Sequence, residues 1–178
     1  MIITIAGDAG SGKSTVAELV ARKLKFRHYS IGDFMRTIAK KRNASLLQLS
    51  KMAETDETID EELDCMQKEL GRRERRFVLD SRLGWHFVPN SFKVFLKVDI
   101  KEGAKRIFNA GRKGEKENRT LRATVENIKK RKESELQRYK KYYNLNPYDN
   151  KNYDLVADTT KLTPEEIAEK IVKTLNKK

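Results

Sequence analysis

Three glycines, a lysine and a serine stand at fixed spacing near residue 10 of the chain. Residues 7–14 read Gly-Asp-Ala-Gly-Ser-Gly-Lys-Ser, which fits the pattern GxxxxGK(S/T). Glycines leave backbone N–H groups free to surround an anion, while the lysine reaches the β- and γ-phosphates of a nucleoside triphosphate and the hydroxyl holds Mg²⁺. The spacing therefore predicts a phosphate-binding loop. It consists of Gly7, Asp8, Ala9, Gly10, Ser11, Gly12, Lys13, Ser14 and Thr15.

Three further charged residues follow predicted strands. Asp80 closes the apolar run 76–80, and an acid at the end of such a strand beside a phosphate loop commonly holds Mg²⁺ through water. Arg36 comes shortly after the second predicted strand, and Arg82 comes directly after the third. Because ligands of parallel sheets gather at the carboxyl ends of the strands, we expect the two arginines to bind one phosphate together.

The segments on either side of the loop have the periodicity that the motif requires. Residues 2–6 are an apolar, β-branched run typical of a buried parallel strand. After the loop, Val16, Leu19, Val20 and Leu24 recur at helical spacing. The helix would direct its N-terminus, with its positive dipole end, at the phosphates.

Strands and helices alternate along the rest of the chain, which predicts an α/β fold with a doubly wound parallel sheet. Asp33 is the predicted N-cap of a helix over 34–41, and Thr163-Pro164 begins the last helix. The predicted strands are 2–6, 26–31, 76–80, 94–98 and 153–158.

Residues 43–75 are predicted to form a helical insertion that includes a capping box at Ser45–Gln48. Asp60, Asp64 and Gln67 are spaced three and four residues apart, so they share one face of a helix, opposite an apolar stripe. This face is either a solvated surface or a wall of hydrogen-bond acceptors for a base that carries an amino group.

A long basic helix is predicted over 120–142. Arg131 and Arg138 lie seven residues apart on one face of it, and Glu135 between them could pair with either. Taken alone, this pattern predicts a solvated charged surface. The preceding residues 111–118 contain two glycines and mixed charge, which suits a mobile lid.

The composition indicates one domain with a partner that carries negative charge. The chain has 178 residues and a formal net charge of +13, which attracts nucleotide phosphates or nucleic acid. Basic and aromatic residues do not alternate, so nucleic acid is the secondary possibility. Cys65 is the single cysteine, there is no apolar run long enough to span a bilayer, and the start has no secretory pattern. We expect a cytoplasmic monomer.

Together the motifs resemble nucleoside monophosphate kinases, and most closely the compact cytidylate kinase (CMP kinase) family typical of archaea. The similar segments extend over nearly the whole chain: GDAGSGKST, SIGDFMR, residues 59–67, LDSRLGW, RxxSExxRY, YDLVADT and TPEE. The resemblance implies a P-loop NTPase three-layer fold with a five-stranded parallel sheet of order 2-3-1-4-5. The single domain 1–178 would have a core of 1–32, 76–109 and 119–178, a helical NMP-binding insertion at about 33–75 and a short lid at about 110–118.

The resemblance also implies transfer of the γ-phosphoryl group of ATP to CMP or dCMP, with Mg²⁺ as the metal. The implied catalytic residues are Lys13, Arg131 and Arg138. ATP would be bound by the phosphate loop, Arg106 and Arg112. The monophosphate would be bound by Asp33, Arg36, Asp60, Asp64, Arg82 and Glu135. Ser14 and Asp80 would hold the metal.

Two departures from related kinases leave questions open. Ala110 stands where relatives often carry a second lid arginine, so either Arg112 replaces it or the contact is missing. The cytosine could be recognised by any of Asp60, Asp64, Gln67 and Glu135. UMP and AMP remain alternative acceptors, although the sequence 80–84 differs from the adenylate kinase pattern DGFPR. A P-loop ribosome-assembly or RNA-binding factor that uses helix 120–142 is the alternative from another class.

Overall fold

A parallel sheet lies between two layers of helices in the computed structural model, which describes residues 1–111 and 118–176. The strands are β1 (Ile2–Gly7), β2 (Arg27–Ser30), β3 (Phe77–Asp80), β4 (Phe92–Lys97) and β5 (Leu155–Asp158). The helices are α1 (Lys13–Leu24), α2 (Ile31–Lys41), α3 (Leu46–Met52), α4 (Thr58–Arg73), α5 (Gly84–Phe87), α6 (Ile100–Ala110), α7 (Leu121–Tyr143) and α8 (Pro164–Leu175), with a short 3₁₀ turn at Asn150–Asn152.

The sheet has the order β2-β3-β1-β4-β5 with parallel pairing throughout, so the expected order is confirmed. In its centre, Ile5 of β1 pairs with Asp80 of β3. This register brings Asp80 to the same edge as the loop that follows β1. The pairing of β1 with β3 therefore places the predicted metal carboxylate beside the predicted phosphate loop.

Apolar side chains on both faces of the sheet explain why two helical layers cover it. Ile3 and Ile5 pack with α1 and α8 on one face. Phe77 and Leu79 pack on the other face against Leu63 of α4. Strands buried on both sides read as continuous apolar runs, which is the pattern that predicted them.

Two helix starts can be compared with their predicted caps. The capping box at Ser45–Gln48 is confirmed, with both reciprocal hydrogen bonds present at 2.7 and 3.1 Å. The prediction that Asp33 caps α2 is wrong. Ser30, the last residue of β2, is the cap, and its hydroxyl accepts from the Asp33 N–H at 3.3 Å. Asp33 lies inside the first turn because β2 passes directly into α2 without a loop.

The predicted lid falls mostly on residues 112–117, which lie outside the described residues, as does Arg112. The division of the chain into core, insertion and lid stays a prediction. None of the helices in the described ranges combines the length and apolar surface needed to cross a bilayer.

Candidate active site

The phosphate loop joins β1 to α1 and depends on glycine at two positions. Gly10 and Gly12 have φ values of 78° and 79°, in the left-handed region that glycine adopts without strain. Gly12 is also the N-cap residue of α1. A Cβ on Gly10 would collide with the backbone carbonyl of Gly103 in α6. The loop can therefore lie against α6 only because Gly10 carries no side chain, whereas Gly12 is required by its φ value.

Two features of the loop itself suit an anion. The Oγ atom of Ser11 is buried and has no hydrogen-bond partner among the described residues. The Nζ atom of Lys13 lies 3.5 Å from the carbonyl of Asp8, which holds the ammonium over the loop. Burial and the neighbouring Arg82 lower the pKa of Lys13 to about 8. A bound polyphosphate would favour the charged form of this lysine again.

Ser14 and Asp80 form the candidate metal site. The Ser14 hydroxyl donates to Oδ2 of Asp80 at 2.6 Å, which joins α1 to the end of β3. Hydroxyl and carboxylate oxygens are hard ligands of the kind that Mg²⁺ prefers, and Mg²⁺ usually keeps water and phosphate oxygens for its remaining positions. No group of three or more His, Cys, Asp or Glu side chains suited to a metal occurs in the described ranges. Two protein oxygens suit an ion that takes its remaining ligands from water and phosphate.

One cleft brings most of the predicted site residues together at the carboxyl edge of the sheet. Its walls come from the phosphate loop, α2, α4, the residues after β3, and α7. The predicted residues that line it are Ala9, Gly10, Gly12, Lys13, Ser14, Thr15, Arg36, Asp60, Asp64, Asp80, Arg82, Arg131 and Glu135. Arg36 and Arg82 both line this cleft, while their binding of one phosphate stays a prediction. Arg36 is held there by Asp33, whose Oδ1 lies 2.5 Å from a guanidinium nitrogen.

Arg82 is held by partners that lie far away in the sequence. Its Nε donates to Oε2 of Glu135 in α7 at 2.6 Å, and another guanidinium nitrogen donates to the carbonyl of Gly7. The hydroxyl of Tyr148 donates to the same Oε2 at 2.7 Å. Burial alone would raise the pKa of Glu135, but Arg82 and Arg131 together lower it to about 2. Glu135 is therefore ionised at neutral pH, and its carboxylate orients the guanidinium of Arg82.

The predicted solvated face of α7 is wrong. Arg138 and Glu135 are only 1% and 6% exposed, because α7 packs against α3 of the insertion and against α6. The spacing suggested that Glu135 could pair with Arg131 or Arg138 of its own helix, but its hydrogen bond is to Arg82, which lies after β3. Arg138 pairs with Asp60 of α4 at 3.5 Å, also across elements.

The polar face of α4 is buried as well, so the solvated interpretation of this face is wrong. Asp60, Asp64 and Gln67 are 3%, 7% and 2% exposed, and all three line the cleft. Asp64 accepts a hydrogen bond from the hydroxyl of Tyr143 in α7. The hydroxyl of Ser81 donates to Oε1 of Gln67 at 2.5 Å. Burial raises the pKa of Asp64 to about 6.

Arg106 lies at a second cleft on the other side of the phosphate loop. This cleft is bordered by Gly10, Gly12 and Thr159, among others. Arg106 donates to the carbonyl of Thr159 at 2.8 Å and to Glu102 at 3.1 Å. The predicted ATP-binding arginine is thus beside the loop, but on a different side from the arginines that face the first cleft.

Sequence reasoning did not assign a role to Ser81, Tyr143 or Tyr148. Ser81 adjoins Asp80, so its place at the strand end could have marked it. Tyr143 and Tyr148 have no spacing signal, because their partners Asp64 and Glu135 lie in other turns or elements.

Comparisons with known proteins identify the family to which the chain belongs. The model of the cytidylate kinase-like family matches residues 2–161. A cytidylate kinase of Natronomonas pharaonis is 38% identical over 167 residues, which cover 93% of this chain and 84% of the relative. A cytidylate kinase of Methanobrevibacter smithii is 35% identical and covers 98% of each chain. A shikimate kinase structure from Acinetobacter baumannii has a TM-score of 0.65 over 99% of this chain and 93% of its own, but at 14% identity it shows the fold alone. The chain belongs to the cytidylate kinase-like family.

Proposed function

We propose that this protein transfers the γ-phosphoryl group of ATP to CMP or dCMP, giving ADP and CDP or dCDP. The observation that carries the proposal is the single cleft that joins the phosphate loop to arginines from other elements and to a buried polar wall on α4. A kinase for monophosphates needs these three parts: one for the donor phosphates, one for the acceptor phosphate and one for the base.

On the donor side, the backbone of the phosphate loop and Lys13 would bind the outer phosphates of ATP. Ser14 and Asp80 would hold Mg²⁺, which neutralises charge on the β- and γ-phosphates when it is bound. Arg106 borders the neighbouring cleft, where it would contact the rest of the ATP molecule.

On the acceptor side, Arg36 and Arg82 would hold the phosphate of the monophosphate from two directions. Arginine suits this task because its planar fork forms paired hydrogen bonds with phosphate oxygens. Glu135 contributes by fixing Arg82, with Tyr148 behind it. Asp33 contributes by fixing Arg36.

In the transfer step, an oxygen of the acceptor phosphate forms a bond to the γ-phosphorus, and the bond to the β–γ bridging oxygen breaks. The acceptor oxygen is already an anion, so no side chain has to remove a proton. Lys13 and Arg131, which both line the cleft, would offset the charge on the group in transit. Arg138 is buried against Asp60, so direct contact with phosphate remains a prediction for this residue.

The test is an ADP-release assay with ATP and Mg²⁺ against CMP, dCMP, UMP, AMP, GMP and dTMP. We expect turnover with CMP and dCMP well above the others. If a folded protein that still binds ATP releases no ADP with any of the six monophosphates, the proposal is overturned. RNA binding by α7 would then be the next function to test.

A variant pair assigns the acceptor site. Arg36→Ala should raise the KM for CMP and lower kcat while ATP binding persists. Arg42→Ala is the matched control, because Arg42 follows the same helix but pairs with the exposed side chain of Asp56 at 3.3 Å. If the two variants had the same kinetics with CMP, Arg36 would not be part of the acceptor site.

A further inference from the structure

Four buried side chains are candidates for recognition of the acceptor base: Asp60, Asp64 and Gln67 on α4, and Glu135 on α7. Their contacts in the structure distinguish between them. Glu135 is engaged by Arg82 and Tyr148. Asp60 faces Arg138 at 3.5 Å. These two carboxylates already face cations. Asp64 forms no salt bridge within the described ranges, and Gln67 carries no charge, so these two remain as the candidates for the base.

We propose that Asp64 and Gln67 read the Watson–Crick edge of the acceptor base, an inference that rests on the proposed function. Asp64 accepts from the exocyclic amino group of cytosine, and the amide N–H of Gln67 donates to the adjacent ring nitrogen. The two protein atoms, Oδ1 of Asp64 and Nε2 of Gln67, lie 3.5 Å apart. They are neighbours on the wall, as the amino group and the ring nitrogen are neighbours on the base.

The orientation of the Gln67 amide follows from its surroundings. Its Nε2 lies 3.3 Å from the backbone carbonyl of Leu63, which can only accept a hydrogen bond. The nitrogen must therefore be on that side, and Oε1 must be the atom that accepts from Ser81 at 2.5 Å. The Ser81 hydroxyl thus binds the amide oxygen of Gln67, and the amide nitrogen lies beside Asp64. The two bonds that Nε2 makes are long, so its hydrogens can turn to a ligand.

Asp64 has acceptor capacity to spare. Tyr143 donates to its Oδ2, and the long contact with Gln67 involves its Oδ1. An ionised carboxylate offers about four acceptor sites, so an amino group can add a further bond. An amino group would also compensate for the burial of this carboxylate, since buried polar groups are costly when they lack partners.

The same pair rejects uracil. Uracil presents an oxo group in place of the amino group and a ring N–H in place of the bare nitrogen. The oxo group, an acceptor, would face the acceptor Asp64, and the ring N–H, a donor, would face the donor Gln67. Neither pair could form a hydrogen bond. Adenine presents the same amino and ring-nitrogen pair as cytosine. The two residues therefore separate amino from oxo bases, and the apolar lining of Met35, Leu63 and Leu83 is left to select ring size.

The experiment compares kcat/KM for CMP and UMP in wild type and Asp64→Asn. In the variant, Tyr143 can donate to the remaining amide oxygen, which turns the new NH₂ group towards the cleft. We expect the CMP:UMP ratio to fall on the order of 10- to 100-fold, the range for loss of one base-edge contact pair. Glu61→Gln, a change of the same chemistry at an exposed position of α4, is the control and should keep the wild-type ratio.

Gln67→Glu is the second variant, because it keeps an acceptor for Ser81 and replaces the donor. It should lower kcat/KM for CMP, and combination with Asp64→Asn should favour UMP over CMP. An unchanged ratio in folded Asp64→Asn or Gln67→Glu, with CMP turnover by the wild type, overturns this inference alone. Absence of CMP turnover by the wild type overturns the proposed function instead.

Discussion

Replacement of Glu135 by glutamine should destabilise this protein through charge alone. Nε of Arg82 lies 2.6 Å from Oε2 of Glu135, and the two side chains are only 16% and 8% exposed. Glutamine has nearly the same size and keeps an acceptor for Tyr148, so the packing should change little. Without the carboxylate, a buried guanidinium loses its counter-charge, which costs about 3–5 kcal/mol when a buried pair is broken outright.

A second estimate comes from proton affinity. Burial would raise the pKa of Glu135, but Arg82 and Arg131 lower it from 4.5 to about 2. Because a tenfold change in proton affinity corresponds to about 1.36 kcal/mol, the lowered pKa stabilises the fold by about 3 kcal/mol. The pKa is lower in the folded state, so this contribution is complete above about pH 4.5 and is lost as the pH falls towards 2.

Urea unfolding followed by circular dichroism at pH 7 and pH 3 measures both properties. We expect Glu135→Gln to lower the free energy of unfolding by about 3 kcal/mol at pH 7. For a chain of this length that corresponds to about 6–12 °C in Tm. At pH 3 the deficit should be less than half as large, since much of the pairing is lost there.

The control is Glu126→Gln, which removes the partner of Lys129 at 3.4 Å in an exposed pair of α7. Its cost should stay below about 0.5 kcal/mol. The reasoning is refuted if Glu135→Gln unfolds within about 0.5 kcal/mol of the wild type at pH 7, or if its deficit is as large at pH 3 as at pH 7.

Three further predictions concern the cleft. Asp80→Asn should raise the Mg²⁺ concentration for half-maximal activity roughly tenfold or more, because Ser14 then lacks its carboxylate partner; an unchanged Mg²⁺ titration would contradict this. Gly10→Ala should weaken ATP binding and lower Tm, because the new Cβ meets the carbonyl of Gly103, and wild-type ATP affinity by calorimetry would argue against it. The pKa of Asp64 is raised to about 6 by burial, so its contribution is present below about pH 4 and is lost as the pH rises through 6. The wild type should therefore lose stability relative to Asp64→Asn over that window, and parallel urea-unfolding profiles would contradict this.

Local patterns predicted the elements well where backbone chemistry decides them. The capping box at Ser45–Gln48 and the strand–loop–helix unit around Lys13 depend on neighbours within a few residues, and both are present. The cap of α2 was wrong by three residues, because Ser30 and Asp33 both suit a cap. Only the direct passage of β2 into α2 decides between them.

The family resemblance supplied the sheet order, which the structure confirms. The positions of Arg36 and Arg82 after strands indicated that the two arginines lie close together, and both line one cleft. Helical spacing showed that Asp60, Asp64 and Gln67 share a face, but it left open whether water or protein covers that face. A periodic pattern records which residues point the same way along one element. It contains no information about the element that packs opposite.

The sequence by itself therefore determined the phosphate loop, the alternation of strands and helices, and the set of residues that could meet a nucleotide. The tertiary structure alone decided the partners of the buried charges. Arg82 meets Glu135 across 53 residues, and Tyr143 meets Asp64 across 79. Those distances in sequence are bridged by packing of the sheet and helices. Burial raises the pKa of Asp64, whereas the charges of Arg82 and Arg131 outweigh burial and lower the pKa of Glu135. The physical reason is that charge pairing and desolvation depend on distance in space, which sequence spacing does not record beyond a single helix or strand.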